Sequence, residues 1–343
     1  MKIVHIHWSL NTGGTENMLV DIVNEQIKNN DISIIIINDS INENILNSID
    51  KKCKVYFCKR KIGSKNILPI IRLNFYIYKI NPDIIHIHAP GIVNYIISNK
   101  IKVRTIHSTL NKADEFNKYK ALYAISDAVR DYTKKQGFES VSIPNGINFK
   151  HIKVKIKEKQ PTNIIKIIQV SRLNHIEKGQ DILIEAFNII KKKTIYNNVE
   201  LHLIGDGKSR QYLESLTKQY NLQSSVYFEG NKSRNYIYDN LCNFDLFVQP
   251  SRSEGFGLTI TEAMAAKVPV IVSNIEGPME VIGNGKYGYF FKSEDIEDLA
   301  NKIEIALNTD NNLMIEKAYN HVTNIYGINI TAKRYIEEYK KIL

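Results

Sequence analysis

The sequence predicts an α/β protein built from two Rossmann-like, doubly wound domains that face each other across a cleft. The chain has 343 residues, more than one hydrophobic core usually serves. Apolar runs of strand length alternate with stretches of helical period, which is typical of βα units on parallel sheets. A Pro144-Asn145-Gly146 turn interrupts this alternation, and the alternation restarts at Asn163. Two similar halves joined by a linker are therefore expected.

Each half has its own series of expected strands. In the first half these are Lys2–His7, Ile32–Ile37, Lys54–Phe57, Asp83–His88, Lys102–Ile106, Leu122–Ile125 and Ser140–Ile143. In the second half they are Asn163–Val170, Val199–Ile204, Val226–Phe228, Phe244–Gln249, Val268–Val272 and Tyr289–Phe291. The clearest helical periods are Glu16–Asn29, Ile67–Ile80, Asp127–Gln136 and Leu258–Ala266.

The domain boundaries follow from the turn and from a polar, Lys-rich stretch that ends at Pro161, which together predict a linker. We expect an N-terminal domain over residues 1–148 and a C-terminal domain over residues 149–330. The last helix, about 331–343, could pack on either domain, and periodicity does not decide between them.

Composition excludes several classes of protein. Hydrophobic residues at 43% and charged residues at 24% are ordinary for a soluble globular protein. No apolar run approaches the roughly 18 residues that a membrane span needs. The N-terminus reads as a first strand rather than a secretory signal, and three cysteines form no disulfide framework, so a cytoplasmic location is expected. Cys53 and Cys58 lack the second pair that a zinc site needs, and packing at a strand edge is the favoured interpretation.

The net charge of +10 indicates anionic partners: phosphates, anionic lipid or nucleic acid. Heavy use of Ile, Asn and Lys accounts for part of the excess. Nucleic acid is not an expected partner, because no aromatic platform or known nucleic-acid motif accompanies the charge.

Ligands of doubly wound sheets bind where loops leave the carboxyl ends of strands. After the first strand, Gly13 and Gly14 precede a helix, where bare backbone N–H groups and the helix dipole favour an anion. The alternative is a plain turn with Thr15 as the N-cap. No G-x-G-x-x-G follows a strand, which argues against a dinucleotide dehydrogenase.

Two loops of the second half carry weaker signals. Arg172 and Lys178 follow Asn163–Val170 and together suit two adjoining phosphates, although a solvated loop explains them as well. Gly205 follows Val199–Ile204 and would let a nucleotide lie against the backbone, although a tight strand-to-helix turn explains it almost equally.

The most informative segment runs from Glu254 to Glu262 after Phe244–Gln249. Gly255 and Gly257 expose backbone amides, and a helix beginning at Leu258 points its positive end at the loop. Two carboxylates beside such a terminus suit sugar and ribose hydroxyls. A capping role for Glu262 is the alternative, and the combined glycines and spacing favour the ligand interpretation.

Taken together, these motifs resemble glycosyltransferase family 4, a group of retaining enzymes of the two-domain GT-B architecture. The resemblance covers nearly the whole chain and rests on five segments in family order. They are Gly13-Gly14-Thr15-Glu16, Ser126-Asp127-Ala128-Val129, Pro144-Asn145-Gly146-Ile147, Ser171-Arg172-Leu173 with Lys178-Gly179, and the Glu254/Glu262 segment. The glycine pair is often followed by Ala-Glu in the family and by Thr15-Glu16 here, a difference from which we expect little consequence.

The resemblance implies a role for each candidate residue. Glu262 would hold the donor ribose, Glu254 would orient the transferred sugar, and His107 matches the family's active-site histidine. Arg172 and Lys178 would neutralise the diphosphate. Backbone amides implied in donor binding are those of Gly13, Gly14, Gly205, Gly255, Phe256, Gly257, Leu258 and Thr259. The acceptor side would include His88, Thr15 and Glu16, with the acceptor bound by the N-terminal domain and the donor by the C-terminal domain.

No metal or cofactor is expected. An obvious D-x-D motif is absent, and Asp295 to Asp298 open a helix, where they serve as N-terminal charge. His5 with His7 and His86 with His88 form H-x-H pairs that could bind a metal, although structural or polar-cleft roles are favoured.

The function implied by the resemblance is transfer of a hexose or N-acetylhexosamine from a nucleotide diphosphate sugar, UDP being the family's commonest carrier. The implied acceptor is a glycan hydroxyl, linked to polyprenyl diphosphate in many relatives that build bacterial surface polysaccharides such as O-antigen and capsule. A Lys-rich stretch over residues 51–65 and the apolar stretch 67–78 could meet an anionic membrane at the inner face, or could be a solvated loop and a core helix. A nucleotide-sugar epimerase and a non-catalytic nucleotide-sugar-binding subunit remain the alternatives.

Overall fold

The computed structural model describes residues 1–11, 13–109, 113–155 and 164–343. The chain divides into two compact units, Met1–Ile147 with Tyr326–Leu343, and Asn148–Ile325. Most of the predicted linker, residues 156–163, lies outside the described residues, as does the predicted strand start at Asn163.

The first unit is a parallel sheet with helices. Its strands are β1 (Lys2–His7), β2 (Asp31–Asn38), β3 (Lys54–Arg60), β4 (Ile84–Ile87), β5 (Ile101–Ile106), β6 (Ala121–Ala124) and β7 (Val141–Ser142). Its first four helices are α1 (Gly14–Gln26), α2 (Glu43–Asn47), α3 (Leu68–Ile80) and α4 (Asp127–Lys135). The described strands pair in the order β3-β2-β1-β4-β5-β6-β7, so the chain reverses its winding direction between β1 and β4.

The second unit repeats this arrangement. Its strands are β8 (Ile165–Val170), β9 (Val199–Ile204), β10 (Val226–Gly230), β11 (Leu246–Gln249), β12 (Val270–Ser273) and β13 (Tyr289–Phe291). Its helices are α5 (His175–Lys178), α6 (Gln180–Lys191), α7 (Arg210–Gln219), α8 (Arg234–Asn240), α9 (Leu258–Ala265), α10 (Glu276–Val281), α11 (Ile296–Asn308) and α12 (Asn312–Ile325). The order β10-β9-β8-β11-β12-β13 places the reversal between β8 and β11.

The last helix, α13 (Ile328–Ile342), belongs to the first unit and packs on α1. Tyr335 and Tyr339 are fully buried in the core that β1, β2 and α1 also form. Periodicity did not decide which unit the last helix packs on. Burial of its large aromatic side chains places it on the first unit. The chain returns to this unit at Tyr326, five residues before the boundary expected from the sequence.

The predicted fold class, two α/β units with parallel sheets, is confirmed. Lys2–His7, Val199–Ile204 and Tyr289–Phe291 have the predicted bounds, and the other expected strands differ by a few residues at their ends. Asp295 caps α11, and its side chain accepts a hydrogen bond from the Asp298 amide, as the N-terminal-charge interpretation expects. Among the described residues, no helix combines the length and the apolar character that crossing a bilayer requires.

Candidate active site

The reversal of winding in the second unit brings two loops to one edge of its sheet. One connection leaves β8, carries Arg172 and ends the short helix α5 at Lys178, and the other leaves β11 and carries Glu254. β8 and β11 are paired neighbours, with Leu246 opposite Ile167. Crevices at such reversals are where doubly wound sheets bind ligands.

Lys178 and Glu254 meet at this edge. The Lys178 ammonium Nζ donates to Glu254 Oε2 over 2.8 Å, although the residues are 76 positions apart in sequence. Their side chains are 18% and 20% exposed, so the ion pair is partly shielded and still open to a ligand. A side chain able to bind a phosphate thus stands beside a carboxylate able to accept hydrogen bonds from sugar hydroxyls.

Arg172 does not join that pair. Its guanidinium Nη2 lies 3.3 Å from Glu177 Oε2, and its side chain is 68% exposed. The predicted pairing of Arg172 with Lys178 on one diphosphate therefore requires the Arg172 side chain to leave Glu177.

Two glycines on this edge are explained by close backbone approaches. Gly179 has φ +66°, and a Cβ there would overlap the carbonyl oxygen of Pro250. Gly205 has φ +135°, a Cβ there would overlap the carbonyl oxygen of Ser171, and its amide donates to Gly230 O over 3.0 Å. The tight-turn interpretation of Gly205 thus has a physical basis, and its part in donor binding stays a prediction.

The segment after β11 forms a loop and then α9. Gly257 has φ +107° and stands at the N-cap of α9, where it offers no side chain to cap the helix. The first amides of a helix lack partners within the helix, so those of Leu258 and Thr259 face the loop with the positive end of the dipole. Phe256 is buried, and Glu262 lies inside α9 at 9% exposure. This placement agrees with the prediction that the loop presents amides and that Glu262 sits about one turn inside the helix.

Arg252 fixes this arrangement, and sequence reasoning missed it. Its guanidinium donates to both carboxylate oxygens of Asp181 over 2.9 Å and to the carbonyl of His175 over 2.7 Å. The amides of Arg252 and Ser253 both donate to the carbonyl of Glu177. Arg252 therefore ties the loop that carries Lys178 to the loop that carries Glu254. Its position two residues before Glu254 was the only available signal.

Gly277, at the start of α10, is a second missed residue. A Cβ there would lie 2.5 Å from Glu254 O and 2.9 Å from the Gly255 carbonyl carbon. Because Gly277 has no side chain, α10 can pack directly against the loop backbone at Glu254 and Gly255.

In the first unit, the glycine pair opens α1 as expected. Gly13 is the N-cap with an extended backbone, φ −167°, and Gly14 is the first helical residue, so the turn with Thr15 as N-cap is wrong. Asn17 donates from its side chain to Gly13 O over 2.9 Å. Glu16 turns its carboxylate back over Gly13.

Four histidines of this unit lie together: His5, His86 and His88 are buried, and His107 is partly buried. His5 Nδ1 lies 2.9 Å from His88 Nε2, and His5 Nε2 lies 2.9 Å from Gln26 Oε1. His86 Nε2 contacts Thr105 Oγ1 over 2.7 Å, and its Nδ1 contacts the Tyr339 hydroxyl over 2.5 Å. The rings of His88 and His107 are 5.9 Å apart.

Burial lowers the pKa of His5 to about 4 and that of His107 to about 3, the latter with help from the charges of His7 and Arg104. Burial also holds the pKa values of His86 and His88 well below 6.5. All four rings are therefore neutral at physiological pH. A neutral His107 contributes a hydrogen bond rather than a positive charge.

The metal interpretation of the histidine pairs also changes. The nitrogens that come within 4.8 Å of one another belong to His5, His86 and His88, whereas His7 turns away to Ser9 O. Every ring nitrogen of His5 and His86 has a hydrogen-bond partner among the described residues. These bonds support the structural interpretation for His5 and His86, whereas His88 Nδ1 is buried without a hydrogen-bond partner among the described residues.

The fold and this site define the chain as a two-unit, Rossmann-like protein with a cation–carboxylate pair at the strand ends of its second sheet. The family model described as Glycosyl transferases group 1 matches residues 150–321, half of the chain, and that of Glycosyltransferase Family 4 matches residues 12–151. The chain belongs to the glycosyl transferases group 1, and the resemblance found in its motifs is confirmed.

Similar proteins include poly(ribitol-phosphate) alpha-N-acetylglucosaminyltransferase of Staphylococcus aureus (strain COL), 27% identical over 221 residues, which are 63% of this chain and 39% of that protein. A second is N,N'-diacetylbacillosaminyl-diphospho-undecaprenol alpha-1,3-N-acetylgalactosaminyltransferase of Campylobacter jejuni, 35% identical over 121 residues, which are 35% of this chain and 31% of that protein. The matches thus span well under half the length of these curated relatives. The crystal structure of Anabaena HepE in complex with UDP-glucose has a TM-score of 0.83 and 20% identity, over 99% of this chain and 100% of that chain.

Proposed function

We propose that the chain is a glycosyltransferase that moves a sugar from a nucleoside diphosphate carrier to a hydroxyl group of a glycan. The observation that carries this proposal is the contact of Lys178 with Glu254 where the paired strands β8 and β11 end. To bind a nucleoside diphosphate sugar, a site needs positive charge beside the phosphates and hydrogen-bond acceptors beside the sugar hydroxyls. The two must lie close enough for one donor molecule to reach both. The second unit presents both, with the amide-rich start of α9 next to Glu254.

The reaction breaks the bond between the anomeric carbon and the phosphate, so negative charge grows on the leaving diphosphate. Fixed donors aimed at that charge are usually the largest catalytic contribution. In our proposal Lys178, Arg172 and the amides of Leu258 and Thr259 supply those donors, so transfer proceeds without a metal ion. Full activity in EDTA supports this part, and restoration of lost activity by Mg²⁺ or Mn²⁺ contradicts it.

We further propose that the anomeric configuration is retained. The support is the resemblance of the chain's motifs to a family of retaining enzymes, in which Glu254 would orient the transferred sugar. The leaving phosphate would then accept the acceptor's proton on the face from which it departs. The coupling constant of the anomeric proton in the product's NMR spectrum decides between retention and inversion.

The donor and acceptor classes are part of the same proposal. Similarity to the Anabaena structure with UDP-glucose favours a UDP-linked hexose or N-acetylhexosamine. Similarity to the Campylobacter enzyme, whose name specifies a diphospho-undecaprenol acceptor, favours a glycan linked to polyprenyl diphosphate. Both fit a role in bacterial surface polysaccharide synthesis on the cytoplasmic side.

The test is transfer of radiolabelled sugar from a panel of UDP-sugars to polyprenyl-diphosphate-linked glycans. We expect Lys178→Ala and Glu262→Ala each to lose most turnover, on the order of 10²-fold or more. Lys193→Ala and Glu304→Ala are matched controls, because these residues form a surface ion pair on the same unit. Near-normal transfer by Lys178→Ala or Glu262→Ala would reject the assignment.

The two alternatives give different products. An epimerase would convert the UDP-sugar without any acceptor, which chromatography of the nucleotide sugars would reveal. A non-catalytic binding subunit would show thermal stabilisation by UDP-sugars with no transfer of label to any acceptor.

A further inference from the structure

Helix α3 of the first unit exposes an apolar face. Leu68, Ile71, Phe75 and Tyr78 are 55%, 55%, 57% and 83% exposed. Pro69, Leu73, Ile77 and Ile80 are the buried residues of the same helix, which packs on β2 and β3. At 3.6 residues per turn, each set spans an arc of about 80°, and the two arcs are centred about 180° apart. We call the exposed set the α3 outer face.

Neighbouring segments extend this face. The Asn74 side chain accepts from the Ile97 amide over 2.9 Å and donates to Tyr95 O over 2.8 Å, which brings Ile97, itself 83% exposed, alongside the middle of α3. At the other end, Ile67 precedes the helix and is 66% exposed. An apolar surface this continuous on a helix that already buries its other side marks a place of interaction.

The segment of the chain that contains α3 carries charged side chains of one sign. Residues 51–82 contain nine lysines and arginines and no aspartate or glutamate, a net charge of +9 out of +10 for the whole chain. The net positive charge is therefore concentrated in this segment, and a bias toward Lys that is spread along the whole chain does not account for that concentration. Arg72 and Lys79 lie on α3, about 20–40° beyond the edge of the outer face, by the same helical geometry.

The remaining basic residues belong to β3 and its two flanking loops. Arg72 donates to Cys58 O over 3.3 Å, which places the end of β3, with Lys59, beside the first half of α3. Lys59, Lys61 and Lys65 are exposed, and they lead directly into the helix.

We propose that the α3 outer face and the basic segment around it dock the protein on an anionic lipid bilayer. Aromatic and aliphatic side chains on one side of a helix enter the boundary between headgroups and acyl chains, and flanking lysines and arginines contact anionic headgroups. A second copy of the chain is the poorer occupant, because a symmetric contact would bring two segments of charge +9 together.

The experiment is co-sedimentation of the whole chain with vesicles of phosphatidylcholine alone or with about 30% phosphatidylglycerol. We expect binding to the anionic vesicles, little to the neutral ones, and release when NaCl is raised from about 0.1 M to about 0.5 M. Ile71→Ser with Phe75→Ser should weaken binding to anionic vesicles at least about tenfold. Lys59→Gln, Lys61→Gln and Lys65→Gln together should weaken it to a similar degree and reduce its dependence on salt.

Matched controls come from the second unit. Ile195 and Leu313 are 72% and 69% exposed, so Ile195→Ser with Leu313→Ser removes two exposed apolar side chains elsewhere. Lys153, Lys193 and Lys292, with side chains 65%, 52% and 76% exposed, provide the charge control as Gln variants. Both control variants should bind like the wild type.

Two results would overturn the proposal. One is absence of wild-type binding to anionic vesicles, or binding that the Ile71/Phe75 variant retains in full. The other is a concentration-dependent dimer in sedimentation velocity that this variant abolishes while vesicle binding is absent, which would assign the face to a second copy. Neither outcome depends on glycosyl transfer, so the docking proposal and the proposed function can fail separately.

Discussion

Lys178 Nζ and Glu254 Oε2 lie 2.8 Å apart although they belong to loops that leave different strands. The pair lets each side chain position the other before a donor arrives, which lowers the cost of ordering them on binding. In the proposed reaction, a donor phosphate would compete for Lys178 and release Glu254 toward the sugar.

The first prediction is that Lys178→Met and Glu254→Gln are strongly coupled. Each substitution alone should lower kcat/KM for the UDP-sugar by about 10²-fold or more. The first removes the positive charge that faces the phosphates, and the second removes the carboxylate that accepts hydrogen bonds from the sugar. In the double variant, the fall in kcat/KM should be much smaller than the product of the two single effects. Once one side chain of the pair is removed, the other is no longer held in place, so removing it as well costs little more. A double-mutant cycle measured on kcat/KM checks this, and strictly multiplicative losses would show that the two side chains act independently.

The second prediction concerns Arg252 as a positioning residue. Arg252→Met should move both loops, so we expect KM for the UDP-sugar to rise at least about tenfold and the free energy of unfolding to fall by about 1–3 kcal/mol. Asp181→Asn should reproduce part of both effects, because it weakens the paired hydrogen bonds over 2.9 Å. Lys193→Met, which breaks a surface ion pair, is the control. An Arg252→Met protein with unchanged KM would remove Arg252 from the positioning role.

Much of this site followed from the sequence, and the part that did not has a clear physical reason. The strands and the loops bearing Lys178 and Glu254 were expected because their signals are local: apolar runs, glycines and helix starts. Arg252 with Asp181 was missed because charged pairs 71 residues apart carry no periodic signal. The sequence also left open which unit α13 packs on, because an amphipathic helix does not specify which core it covers.

The third prediction tests the attachment of α13. Tyr339→Phe removes the hydroxyl that contacts His86 Nδ1 over 2.5 Å and leaves a buried nitrogen without a partner, which should cost about 1–3 kcal/mol. Tyr78→Phe is the control, since Tyr78 is 83% exposed. Urea unfolding of both variants gives the comparison, and equal stabilities would mean that the contact contributes nothing to the fold.

The fourth prediction is a loss of stability in mild acid. The folded-state pKa values of His5 and His107 are about 4 and about 3, below the ordinary 6.5, so the unfolded chain binds protons that the folded chain does not. The contribution of these neutral histidines to the free energy of unfolding is therefore fully present well above pH 6.5. It is lost progressively as the pH falls through 6.5 toward 4. Each such histidine should cost about 1.4 kcal/mol between pH 7.5 and 5.5.

Unfolding of His5→Gln at the two pH values tests that mechanism. The variant should lose less stability between them than the wild type by about 1.4 kcal/mol, whatever its stability at pH 7.5. His151→Gln is the control, because His151 is exposed. An unchanged pH dependence in His5→Gln would show that His5 is not a buried neutral group.

The fifth prediction separates backbone strain from close packing at Gly179. Gly179 and Gly137 both have positive φ, +66° and +85°, but a Cβ at Gly179 would overlap Pro250 O, whereas a Cβ at Gly137 would meet nothing within 4 Å. Gly137→Ala should cost about 1 kcal/mol of stability from its backbone conformation alone. Gly179→Ala should cost more, and it should also raise KM for the UDP-sugar, because Lys178 is the preceding residue and moves with the turn. Equal stabilities and an unchanged KM in Gly179→Ala would mean that the loop accommodates the methyl group without displacing Lys178.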